Sequence, residues 1–504
     1  MSSARPQPRV RWPLVIGLLL VLCAPATAQD EAVENLYREG QRLARSDPAA
    51  ALREYQLLVD QFPDHPLAPA ALLRMVEIFE QQGDERRRDL KLKQLLDGYG
   101  RSPEAARGYL IESAIRRRQA RTPEDLEQVR AMLRRVPLLF DRDAFPRLPA
   151  RAEARVAAGE ISRALDDPAS AAADFLLVIE DEPPSAVTKR AQRLLAETLI
   201  DRDQWLPASE ILQRLLDEPA ADEAPAEEER GRAGRLLTLL HRRLVRPLAG
   251  EPFWAGTRAF AQGLQLKSAS GVAAHEDGRL VVTDDGLPVI AVVAPSGEVE
   301  MRTDLRGLGR PLWDGDRPGA LAGDAVLRPF GGPTTKFKAP AKDATLKGLV
   351  AVERGLLGDR YVVARSQTGV LRYSSARRST ELLAAGRPEF TDLARDGRGR
   401  IYALDRRGRK VQRIGLDRRP EGTVASGEWK RAEALAVDRL GFVFVLDRGN
   451  RQVLAYDPAG RLLATAGPQL DGGLELRAPV DLAVDGSGRV FVADAKLPFL
   501  VVIE

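Results

Sequence analysis

Residues 435–456 read LAVDRLGFVFVLDRGNRQVLAY, three short apolar runs (435–437, 442–446 and 453–456) divided by turns of Gly, Asp and Arg. Runs of this length, dense in Val, Phe and Leu and punctuated by turn residues, predict antiparallel strands. The pattern returns downstream as DLAVDGSGRVFVADAKLPFLVVI (481–503) and upstream as DLARDGRGRIYALDRRGRKVQRI (392–414). In each copy an Asp closes the middle strand, at Asp405, Asp447 and Asp494, with intervals of 42 and 47 residues.

A period of about forty residues with several strands in each is the signature of a β-propeller blade. Steps of forty back from Asp405 land on Ala364, Asp324 and Asp284, each at the end of an apolar or small run, which predicts six blades over 257–504. The last blade shows only three strands of its own before Glu504. An exposed edge is a liability, so the segment 257–266 ahead of the first blade is expected to supply the missing outer strand.

The turn Asp447-Arg-Gly-Asn450-Arg451-Gln-Val453 resembles that of NHL-repeat propellers. In that family the Asp after the second strand and the Asn before the third shape the turn between them. Here only the 435–456 copy keeps both. The Asp residues themselves are expected to fix turns by accepting hydrogen bonds from nearby backbone N–H groups.

The first 28 residues predict an export signal, with Arg5, Arg9 and Arg11 ahead of an apolar core at 12–23 and an Ala-Thr-Ala site ending at Ala28. The residue before Cys23 is Leu22, which does not suit a lipoprotein signal. Cleavage after Ala28 leaves a chain with no Cys, and no Asn lies in a glycosylation acceptor. These features predict a bacterial periplasmic or secreted protein, with no membrane span after cleavage. From residue 251 onward there are 38 Lys/Arg against 32 Asp/Glu, a net of +6. Over 29–250 the counts are 35 and 40, a net of −5, so two domains with different surfaces are expected.

Residues 29–246 carry apolar stripes at helical spacing, at 31–44, 48–61, 67–81, 85–96, 109–118, 123–135, 151–165, 169–180, 186–200, 207–216 and 230–245. Pro-rich junctions such as Phe62-Pro63-Asp64-His65-Pro66 separate them, and the seven acids at 217–229 predict a solvated loop. Paired helices recurring near 34 to 37 residues, with Ala71, Gly83, Ala105 and Ala106 at crossings or turns, resemble tetratricopeptide repeats. The fold expected is therefore an all-α, TPR-like solenoid at 29–246, a short linker at 247–256, and an all-β, NHL-like six-bladed propeller at 257–504. The helical region is expected to pack against the propeller edge, held chiefly by burial around Phe253 and Trp254.

Recognisable catalysis is sparse. His65, His241 and His275 stand in unrelated contexts, the first two expected to be exposed and the third to serve a turn. There is no G-x-S-x-G elbow, Walker loop or dinucleotide fingerprint, so neither a cofactor nor a catalytic set is expected. Asp314-Gly-Asp316 lacks the further ligands of a calcium loop, and no metal is expected. Residues 329–342, with three Lys, predict an exposed loop.

Ten Arg or Lys against three Asp crowd residues 395–419. Arg398, Arg400, Arg406, Arg407, Arg409, Lys410 and Arg413 are the candidates for binding an anionic partner, since guanidinium groups pair bidentately with phosphate and carboxylate. The function expected is a non-enzymatic envelope scaffold that binds protein or peptide partners, or an anionic envelope polymer, and no nucleic acid. The alternative is a hydrolase resembling the propeller lactonases, with a divalent metal in the central channel.

Overall fold

The computed structural model describes residues 26–504 except 121, 219–223, 306, 328–329, 332–333, 338–344, 356–358, 375–378, 385–388 and 415–419. An N-terminal run of consecutive helices is followed by a six-bladed β-propeller. The chain divides into two compact units, one of 1–115 with 131–154 and one of 116–130 with 155–504. Most of the expected export signal lies outside the described residues, and α1 (Ala26–Leu43) begins within its last three.

In the first unit α2 (Pro48–Gln61), α3 (Ala68–Gln82) and α4 (Glu85–Tyr99) follow α1. Asp47 and Asp84 cap α2 and α4 by accepting from the backbone N–H groups of Ala50 and Arg87. Tyr55, Leu58, Leu72, Met75 and Leu95 fill the core between these helices. Gly40 on α1 sits so close to the Tyr55 ring that a Cβ would lie 2.5 Å from it, so the crossing needs glycine. Ala71, Ala105 and Ala106 are fully buried, and Gly83 ends α3 in the left-handed region with φ 72°. His65 is not exposed as expected: its Nδ1 accepts from Leu67 N–H, and it is half-buried.

Three helices bridge the division in sequence, α5 (Pro103–Gln119), α6 (Pro123–Leu139) and α7 (Pro149–Ala164). The second unit continues with α8 (Pro168–Asp181), α9 (Ala186–Asp201), α10 (Trp205–Asp217) and α11 (Ala224–Leu240). Residues 224–229, expected in a loop, form the first turns of α11. Pro225 suits a first helical turn, and Glu227 and Glu228 favour the positive end of the helix dipole. Glu229 is buried against Arg193 at 2.5 Å. A π-helical turn, His241–Val245, and a short helical turn, Arg246–Leu248, lead to the propeller.

β1 (Thr257–Phe260) precedes the blades. Blade 1 is β2 (Ala269–Ala274), β3 (Leu280–Asp284), β4 (Val289–Val293) and β5 (Val299–Asp304); blade 2 is β6 (Pro311–Asp314), β7 (Arg317–Ala322), β8 (Ala325–Leu327) and β9 (Thr335–Lys336). Blade 3 comprises β10 (Leu349–Arg354), β11 (Arg360–Ala364), β12 (Gln367–Ser374) and β13 (Ser379–Ala384). Blade 4 comprises β14 (Phe390–Arg395), β15 (Ile401–Asp405), β16 (Lys410–Ile414) and β17 (Pro420–Ser426). Blade 5 follows as β18 (Ala432–Val437), β19 (Val443–Asp447), β20 (Gln452–Tyr456) and β21 (Leu462–Ala466), and blade 6 as β22 (Pro479–Val484), β23 (Val490–Asp494) and β24 (Leu500–Ile503).

The fourth strand of blade 6 is β1, which pairs antiparallel with β24 in the register Thr257↔Ile503 to Phe260↔Leu500. The ring thus closes through the segment expected to close it. Every residue of β3, β15, β19 and β23 is buried, because a second strand is packed by neighbouring blades on both faces. Much of the loop expected at 329–342 lies outside the described residues. Its described part is no open loop: β9 joins the blade 2 sheet and Phe337 is fully buried.

Candidate functional site: the central channel

The first strands of the six blades, β2, β6, β10, β14, β18 and β22, line a central channel of about 470 Å³. At one level of it Arg310, just ahead of β6, reaches across to two carboxylates. Its Nη2 donates to Asp481 Oδ1 at 2.8 Å, and its Nη1 pairs with Asp392. The same guanidinium donates to the carbonyls of Thr391 and Glu433. Asp392 accepts from the N–H groups of Leu435 (2.6 Å) and Leu393 (2.8 Å), and Asp481 from those of Val272 (3.1 Å) and Leu482 (3.0 Å). The three charged residues come from blades 2, 4 and 6. Between them stand small residues of blades 1, 3 and 5, namely Gly271, Ala351 and Ala434.

Burial pushes the Asp392 carboxyl up to about 7, with Asp481 adding to the rise and Arg310 opposing it. Burial likewise raises Asp481. Two carboxylates facing one guanidinium carry one negative charge too many for a buried site, so a shared proton is the physical remedy.

Helices α9 and α11 meet the channel mouth where the first strands end. Arg439 bridges Glu197 of α9 at 2.7 Å and Glu276 at 3.3 Å. Glu197 also takes Arg163 at 2.7 Å and pairs with Arg193. Burial disfavours the Glu197 charge, yet Arg439, Arg193 and Arg163 hold its carboxyl well below the usual range. Glu353 lies 3.6 Å from Arg395, and burial raises it. Arg232 of α11 lines the same mouth. His275 stacks on Trp313 with ring centroids 4.8 Å apart, and its Nε2 lies 3.2 Å from Asp316. Among the described residues, no group of three or more His, Cys, Asp or Glu is placed to hold a metal ion. Asp314 of the calcium-like triplet has both oxygens 2.7 Å from Arg360 Nη2.

The basic candidates from sequence do not form one patch. Arg398 and Arg400 lie in the turn before β15, Arg406, Arg407 and Arg409 in the turn after it, and Lys410 opens β16. The five residues of β15 put about 17 Å between those turns. Arg398 donates to Asp201 at the end of α9 at 3.0 Å, and Arg400 to Asp396 at 2.6 Å, so both serve the fold. Arg406 bonds Glu389 at 2.7 Å, and Arg413 sits across the ladder from Tyr402. Arg407 and Arg409 are exposed. The sequence reading missed Arg310 because its partners are 82 and 171 positions away in the chain.

These features define a helical region leading into a six-bladed propeller whose channel is crossed by an internal ion cluster. No protein-family model matches the sequence, and no curated protein matches it. Among solved structures, a gluconolactonase from Xanthomonas campestris is 15% identical with a TM-score of 0.40, covering 50% of this chain and 90% of its own. A streptogramin B lyase is 10% identical with a TM-score of 0.37, covering 50% and 98%. A calcium-binding regucalcin from Agrobacterium tumefaciens is 12% identical with a TM-score of 0.36, covering 50% and 93%.

Proposed function

We propose that this protein is a non-catalytic binding scaffold of the bacterial cell envelope. The reading takes residues 1–28 as an export signal, the helices as TPR-like and the propeller as NHL-like, two architectures that present surfaces to partners. Its partners would be proteins, peptides or an anionic envelope polymer. One observation carries it. The carboxylates where the first strands converge, Asp392 and Asp481, are taken up by Arg310 and by backbone N–H groups, which makes that level of the channel a structural clamp.

The rival reading is a lactonase-like hydrolase, favoured by the convergence of two carboxylates, from blades 4 and 6, on one level of the channel. The test is turnover of lactones and aryl esters by the purified protein with calcium, zinc or manganese added in turn. No turnover above the uncatalysed rate is expected. Metal-dependent hydrolysis that disappears in Asp392→Asn would replace the scaffold reading with the hydrolase.

A further inference from the structure

The face of the propeller away from α9 and α11 carries a repeated feature. In blade 1 the N–H of Asp285 donates to the carbonyl of Ser268 at 2.9 Å, joining the residue after the second strand to the one before the first. The same bond recurs from Arg365 to Gly348 in blade 3 (2.8 Å), Arg448 to Arg431 in blade 5 (2.9 Å) and Ala495 to Ala478 in blade 6 (2.9 Å). The residue just ahead of these four acceptors is Lys267, Lys347, Lys430 and Arg477 respectively, so each stands at the same place in its blade; blade 4 makes the same bond from Arg406 to Glu389 (3.0 Å), with Pro388 at that place in the sequence. All four are exposed, and none makes an ion pair among the described residues. Three are pinned through their own N–H groups: Lys267 to Asp284 (2.7 Å), Lys430 to Asp447 (2.9 Å) and Arg477 to Asp494 (2.7 Å).

We infer that these four cations form a blade-periodic arc around the channel rim, and that it docks a linear, phosphate-bearing polymer without bases. The inference rests on the reading of the propeller as a binding module and names the ligand chemistry of one face. Three of the four are Lys, a point charge on a flexible stem, which meets tetrahedral phosphate from any direction; planar carboxylates favour the Arg fork. None of the exposed large apolar side chains among the described residues lies in these turns, and Trp429, next to Lys430, is buried. A face without an apolar centre is a poor protein interface, and one without exposed aromatic rings is a poor platform for stacking bases. Arg407 in the blade 4 turn and Lys410 at the start of β16 lie on the same face and extend the positive field.

The experiment is equilibrium binding of end-labelled inorganic polyphosphate to the full chain. Four phosphate contacts on a single-stranded polyanion predict an affinity loss of about 50-fold between 50 and 200 mM salt. Joint replacement of Lys267, Lys347, Lys430 and Arg477 by Ala is expected to weaken binding at least tenfold at 50 mM salt and to flatten that slope. A charge-matched variant with Arg38, Arg42, Lys93 and Arg461 replaced by Ala is expected to bind as the parent does, and circular dichroism checks that both are folded. Absence of binding, or equal weakening in the two variants, overturns the arc. Equal or tighter binding of poly-glutamate or oligothymidylate overturns the assignment to base-free phosphate. Hydrolysis assays read the scaffold proposal separately, so the two stand or fall on different measurements.

Discussion

Arg243 and Asp438, 195 residues apart, form an ion pair of 2.9 Å in which neither side chain is exposed. The pair replaces one that other blades make for themselves. In blades 4 and 6 the Asp after the first strand takes the Arg four residues on, Asp396 with Arg400 (2.6 Å) and Asp485 with Arg489 (2.7 Å). In blade 5 that position is Phe442, and the guanidinium arrives from the π-helical turn after α11. It lies over the rings of Phe253 at 4.9 Å and Phe444 at 5.0 Å and pairs with the Gly488 carbonyl. Phe253 and Trp254 pack together at 4.8 Å against the blade 5 core.

Removing one partner of a buried pair leaves an uncompensated charge, at a cost of about 3–5 kcal/mol. Arg243→Met is therefore expected to destabilise strongly, and Arg243→Met with Asp438→Asn clearly less than the sum of the single changes. Urea unfolding of the four chains checks this; simple additivity would mean the pair does not act as a unit.

The Asp392 carboxyl sets a pH dependence whose sign is opposite to the usual one for an acid. An unfolded Asp titrates near pH 3.9, whereas the folded group is raised to about 7. Between those values the folded chain holds a proton that the unfolded chain has released. Stability is therefore lost as pH rises through this window, by at most about 1.4 kcal/mol per pH unit for one proton. Above pH 7 this contribution levels off. Asp392→Asn is expected to flatten the curve between pH 4 and 7, read from urea midpoints of both proteins. A parent-to-variant difference that stays constant over that range contradicts the assignment.

Gly271 is where the ring tolerates no side chain. A Cβ there would lie 2.3 Å from Pro311 Cδ and 3.1 Å from Asp481 Oδ2. Gly271→Ala must push blade 2 or the ion cluster aside, and overpacking of this kind costs about 1–3 kcal/mol. Ala434→Gly, at the matching place in blade 5, is expected to be the milder change. Thermal unfolding of the two variants gives the order, and the reverse order would mean the channel wall yields easily.

The propeller was legible because its signal is periodic: Asp405, Asp447 and Asp494 close β15, β19 and β23 as expected, and each accepts backbone N–H bonds across its turn. The helices were legible from apolar spacing, except where Ala and Glu at 224–229 extend α11 into an acidic stretch. The ion clusters were not legible. Arg310, Arg243 and Glu197 meet their partners only after the ring has closed, and nothing local marks them. Lys267, Lys347, Lys430 and Arg477 do carry a signal, two residues ahead of a first strand each time, but the period of the middle-strand Asp does not point to that position.

The turn that first resembled an NHL repeat allows a sharper test of which residue holds it. Asp447 accepts from the N–H groups of Lys430 (2.9 Å), Arg431 (2.8 Å) and Gly449 (3.0 Å), and from Asn450 Nδ2 (2.8 Å). Asp494 holds the corresponding backbone donors, Arg477, Ala478 and Lys496, without any Asn nearby. The Asn is thus an addition to a turn that the Asp already fixes. A buried donor left unpaired costs about 1–3 kcal/mol, whereas losing one ordinary hydrogen bond costs about 0.5–1.5 kcal/mol. Asp447→Ala strands several donors at once, and Asp447→Asn keeps one acceptor oxygen. Asn450→Ala leaves every backbone bond in place. Melting temperatures are therefore expected to fall most in Asp447→Ala, less in Asp447→Asn and least in Asn450→Ala. Asn450→Ala as damaging as Asp447→Ala would show that the Asn, and not the Asp, carries the turn.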